Sequence, residues 1–98
     1  MNKREYIEEQ LAELNENALF MDGHDDAIIG VTGTTEPVVV YSEQAIIDGL
    51  ITEMVSEGTP YEQAEEDAWD HYGFNILGSL VGDRENYPII IRTIDESV

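Results

Sequence analysis

Apolar residues recur at spacings of three and four through Ile7, Leu11, Leu14 and Ala18, the period of a helix with one buried stripe, and predict a helix from Lys3 to Glu16. Its other faces carry Glu5, Glu8, Glu9, Glu13 and Glu16. The segment Asn15–Asn17 favours ending the helix, and Ala18–Met21 reads as an optional short edge strand before an Asp22-Gly23 turn. The pattern then becomes β-branched. Ala27–Thr32 and Pro37–Ser42, separated by Gly33–Glu36, read as a hairpin. Ser42 is placed to cap a helix from Glu43 to about Ser56, with Ile46, Ile47, Leu50, Ile51 and Met54 inward and Gly58 as its stop. Thr59-Pro60-Tyr61-Glu62 predicts a capping box, with threonine as cap and proline at the first helical position. Tyr61, Ala64, Ala68, Trp69 and Tyr72 form that helix's inner side; Glu62, Glu65, Glu66, Asp67 and Asp70 crowd the rest. Gly73 is expected to interrupt it, with Phe74–Val81 adding a turn or two, and Tyr87–Thr93 reads as a last strand opened by Pro88.

The order is helix, optional strand, hairpin, two helices, strand. It predicts an α+β fold: a small antiparallel sheet of three or four strands around a central hairpin, with three helices packed mainly on one face. The 98 residues supply one hydrophobic core and therefore a single domain over 1–98. The hydrophobic fraction of 42% is that of a folded protein rather than a disordered acidic tail.

Charge changes the picture most. Against 22 acidic residues stand only Lys3, Arg4, Arg84 and Arg92, a net charge of −18. Most carboxylates therefore face water or a basic macromolecule, and nucleic acid and anionic membrane are disfavoured as direct ligands. No apolar stretch approaches the roughly 20 residues of a membrane span, so the expectation is a soluble, cytoplasmic protein. With no cysteine, disulfides, thiolate nucleophiles and cysteine-bound zinc drop out.

Candidate chemistry concentrates in Asp22-Gly23-His24-Asp25-Asp26. Carboxylates and an imidazole this close suit a divalent cation, but the spacing fails the calcium-loop pattern, since His24 and Gly33 stand at its third and twelfth positions. The competing reading is turn chemistry at a strand entrance. His71 is the other histidine, near a helix end; a His24/His71 metal or acid–base pair requires that end to meet the hairpin entrance. Ser42 reads as a cap, while Ser56, Ser79 and Ser97 lack a nucleophile-elbow frame. Gly73, Gly78 and Gly82 are spaced wrongly for a phosphate loop. No cofactor is indicated. Trp69 and the tyrosines can anchor an interface, but Tyr61, Trp69 and Tyr72 on one helix face are expected in the core.

Rows of glutamate four apart on a helix stand about 6 Å apart, near the spacing of backbone phosphates. A folded chain of this mass exposes roughly 5,600 Å², or about 300 Å² per net charge, against about 110 Å² on duplex DNA. Mimicry of DNA therefore needs the acids to cluster, and acidity serving solubility at high salt is the competing explanation.

The run Asp22–Val31, with Val38–Tyr41, Phe74-Asn75-Ile76, Gly78, Val81-Gly82 and Pro88, resembles a group of short, acidic bacteriophage-encoded proteins of no settled biochemical role. They share an Asp-Gly-x-Asp-Asp-Ala-Ile-Ile-Gly-Val segment. The similarity runs over about residues 20 to 91 and leaves out the first helix and Arg84-Glu85-Asn86. It implies a phage origin and action inside a bacterial host, and transfers no catalytic residue.

The leading expectation is a non-enzymatic interaction protein. Glu5, Glu8, Glu9, Glu13, Glu16, Glu62, Glu65, Glu66 and Asp70 would bind a basic host protein, in one version by occupying its nucleic-acid site. The alternatives are a small metal-binding, hydrolytic protein using Asp22, His24, Asp25 and Asp26, and a structural homodimer paired through a sheet edge.

Overall fold

Asn2 starts the first helix, its side chain accepting a hydrogen bond from Glu5 N at 2.8 Å. The computed structural model describes residues 2–80 and 85–93; Val81, Gly82, Arg84 and Ser97, which entered the sequence reading, lie outside the described residues. Helix α1 spans Lys3–Leu14 and buries Ile7 and Leu11. It is shorter than its periodicity predicts, because Asn15 turns away to donate to Pro37 O at 3.0 Å and Asn86 Oδ1 at 3.1 Å. Leu14 is left exposed, and Glu16 stands beyond the helix.

Residues 18–21 are not a strand. Leu19 N donates to Asn86 O at 3.0 Å and Met21 N to the Tyr41 hydroxyl at 2.8 Å, so this stretch is tied down without joining the sheet. Gly23, at φ 82°, makes the turn that follows, and a 3-10 turn at Asp25–Ala27 leads into the sheet.

Strands β1 (Ile28–Val31) and β2 (Val39–Ser42) form the antiparallel hairpin expected from their β-branched runs, each two residues shorter. A one-residue bulge falls between Ile28 and Gly30. Strand β3 (Ile89–Ile91) lies on the other side of β2 and runs parallel to it, pairing Val40 with Ile89 and Ser42 with Ile91. The sheet is thus mixed, which corrects the antiparallel expectation. A parallel neighbour needs a long crossover, and the two helices between β2 and β3 supply it.

Helix α2 (Glu43–Ser56) begins where expected, Ser42 Oγ accepting from Ala45 N at 3.2 Å, and buries Ile46, Ile47, Leu50 and Ile51. Gly58, at φ 103°, ends it. Helix α3 (Tyr61–His71) packs on α2 through Ala64 and Ala68. The capping box does not form: Pro60 holds the cap position, its carbonyl accepting from Ala64 N at 2.8 Å, and no side chain caps the helix.

Gly73 does not interrupt the chain's helical course. The backbone widens into a π-helical segment, Tyr72–Leu77, and tightens into a 3-10 turn, Gly78–Leu80. One core joins Ile7 and Leu11 of α1, Ile28 and Val39 and Tyr41 of the sheet, the α2 aliphatics, the α3 alanines, Tyr72 and Ile76. Among the described residues no helix is long and apolar enough to cross a membrane.

Candidate functional site

The acidic run that follows Met21 closes over the start of α1. Arg4 lies beside three carboxylates: Nε donates to Glu8 Oε1 at 3.0 Å, and Nη1 is 3.8 Å from Asp22 and 3.7 Å from Asp25. Its guanidinium also stacks on Phe20, 4.7 Å from the ring centroid. The hydrogen bond to Glu8 is the main reason that the Arg4 pKa is raised. Lys3 Nζ donates to the Asp26 carbonyl oxygen at 2.9 Å. Asp22 and Asp25 therefore face a cation that the fold already provides. Among the described residues no three or more histidines and carboxylates stand close enough to share an ion, so Asp22, His24, Asp25 and Asp26 do not form one ligand set.

Arg92, the third described cation, is engaged too. Its Nε donates to Glu43 Oε1 at 2.8 Å, and the Tyr72 hydroxyl donates to Glu43 Oε2 at 2.8 Å. Burial, then the bond to Glu43, pushes the Tyr72 phenol up to about 12. Glu43 is only 8% exposed, a buried carboxylate with a charged and a neutral donor. Sequence reasoning missed this cluster, because its members come from the starts of α2 and the π segment and from just after β3.

Lys3, Arg4 and Arg92 thus each bond to a group of this chain, although Lys3 and Arg92 are themselves exposed, and the nine carboxylates singled out from the sequence are all exposed. Glu8 is partly satisfied by Arg4; among the described residues the other eight side chains make no ion pair. Glu5, Glu8, Glu9 and Glu13 lie on α1, and Glu62, Glu65, Glu66 and Asp70 on α3. The two rows sit on separate supports, α1 on β1 and the 3-10 turn, α3 on α2.

Two of the three aromatics expected in the core are surface residues. Tyr61 is 61% and Trp69 41% exposed, and only Tyr72 is buried, with Trp69 edge-on to it at 5.8 Å. Phe74, in the π segment, is 83% exposed.

No protein family, curated protein or solved structure matches this chain. The functional reading therefore rests on the geometry.

The two histidines share a cavity. His24 and His71 line one cavity of about 340 Å³ with Leu19, Asp22, Asn75 and Tyr87. The end of α3 and the hairpin entrance come together, as a His24/His71 pair requires. His24 is half-buried, and its pKa is lowered by burial first and then by His71, against the opposing pull of Glu53 and Asp25. His71 Nδ1 is 3.3 Å from the Asn75 side-chain nitrogen.

Proposed function

We propose that this protein is a non-enzymatic interaction module that binds a basic protein through the carboxylates of α1 and α3. The observation that carries the reading is the separation of charge roles: Lys3, Arg4 and Arg92 each bond to a group of this same chain, and the helix-borne acids, apart from Glu8, are left to solvent. Such a surface attracts a positive partner over a Debye length, about 8 Å at physiological salt, and accelerates encounter more than it tightens the final complex. Exposed Tyr61 and Trp69, on the same helix as Glu62, Glu65, Glu66 and Asp70, supply the apolar anchors that charge alone lacks. The resemblance to short phage proteins favours a partner in a bacterial cell, and a protein that binds nucleic acid has the basic surface required.

Capture from a bacterial lysate tests this, with the immobilised protein, low and moderate salt, and mass spectrometry of the retained proteins. The expected result is enrichment of one basic nucleic-acid-binding protein that added duplex DNA displaces. Retention of nothing, or of a broad set of basic proteins, contradicts it.

The homodimer reading draws support from the sheet. Strands β1 and β3 are its edges, and Ile29, Ile89 and Ile91 are exposed. Sedimentation velocity across a range of concentrations decides between monomer and dimer.

A further inference from the structure

The cavity shared by the two histidines belongs to neither acidic row. Its wall is drawn from the 19–24 segment, the end of α3, the π segment and the approach to β3. The π-helical turn begins directly after His71 and carries Asn75 and Ile76 into this wall. Such turns are rare and concentrate at functional sites.

The chemistry of the walls narrows the ligand. A chain of net charge −18 repels anions and concentrates cations at its surface. His24 and His71 bring two imidazole rings to the wall of one cavity, and a neutral imidazole offers a nitrogen lone pair. A cation that seeks neutral imidazole is a borderline transition metal, whereas magnesium and calcium prefer oxygen. The Asn75 side-chain nitrogen stands 3.3 Å from His71 Nδ1, so that edge of the ring is occupied and an ion would have to use Nε2. With the amide turned so that its oxygen accepts from Nδ1–H, Asn75 would fix the tautomer that offers the Nε2 lone pair. A cavity of about 340 Å³ has room for an ion together with several waters, each of which occupies about 30 Å³.

We propose that His24 and His71 form a two-imidazole site for a zinc-class divalent metal, with water completing the coordination and Asn75 positioning His71. Only two protein ligands take part, so the ion is exchangeable rather than structural. The site takes only His24 from the Asp22–Asp26 segment; Asp22, which also lines the cavity, and Asp25 stand 3.8 and 3.7 Å from Arg4. It stands independently of the partner-binding reading, because none of the helix carboxylates assigned to the partner takes part.

The test is a zinc titration of the whole protein followed by the imidazole signals in proton–nitrogen NMR. Both ring systems are expected to shift together and saturate at one ion per chain, while magnesium at the same concentrations leaves them in place. His24→Gln and His71→Gln should each weaken zinc binding by about tenfold or more, and Asn75→Ala by a smaller factor. Rings unmoved by zinc overturn the proposal, as does zinc binding retained in the double histidine variant, which would place the ion on surface carboxylates. If either variant fails to fold, the wild-type spectra decide alone.

Discussion

Glu43 is a carboxylate inside a protein whose other acids mostly face water, and its two partners explain how it stays there. Removing one donor leaves a buried oxygen unpaired, which costs more than the bond itself contributes. Tyr72→Phe is therefore expected to lower stability by about 1–3 kcal/mol, read from the urea midpoint at unchanged slope. The same phenol sets an alkaline limit. Its pKa is raised from 10.0 to about 12 in the folded state, so the stability it confers is complete below pH 10 and is lost as pH rises toward 12. Tyr72→Phe should flatten that part of the stability profile. His24 works at the other end. Its folded pKa lies below the ordinary 6.5, so the fold is favoured while the ring is neutral and loses stability as pH falls below 6.5. His24→Gln is expected to reduce the acid sensitivity just below pH 6.5, measured by urea unfolding at stepped pH. These groups were the least legible in the sequence. Nothing near Glu43 in the chain announces Tyr72 or Arg92, and His24 and His71 share a cavity only because tertiary packing brings α3's end to the hairpin entrance.

Among the elements, the hairpin and α2 were legible because local chemistry decides them: β-branched runs around a short loop, and Ser42 ahead of an amphipathic stretch. Ser42→Ala removes the acceptor for Ala45 N and should cost about 1 kcal/mol. Ile47→Ala, at 1% exposure in the core, should cost about 2–5 kcal/mol. Thermal or urea unfolding of the two variants checks that order. Elements set by distant contacts were misread. The direction of β3 depends on how α2 and α3 cross the sheet, and a three-residue strand of isoleucines is equally compatible with either direction. Gly73 is a helix breaker by propensity, yet buried Tyr72 and Ile76 on either side of it hold a widened helical turn in place. Trp69 and Tyr61 share the helical period of Ala64 and Ala68, but the closely packed α2–α3 face admits the alanines and leaves the large rings at its margin.

At the scale of the whole molecule, charge governs. An accessible surface of 6,861 Å² shared among 18 net charges gives about 380 Å² each, several times more dilute than the roughly 110 Å² of duplex DNA. Averaged over the molecule, the acids are a poor copy of a phosphate backbone; what matters is the local rows on α1 and α3. The rows and the two helices that carry them were readable from composition and helical period, whereas the separate supports of those helices were not. The dependence of partner affinity on salt tests the central claim most directly, with the captured protein titrated from 50 to 200 mM salt against the wild type and against variants with the α1 or α3 acids changed to glutamine. The account predicts a steep loss of affinity with salt, and a shallower slope for the row that binds. A slope near zero, or one unchanged by neutralising either row, would contradict it.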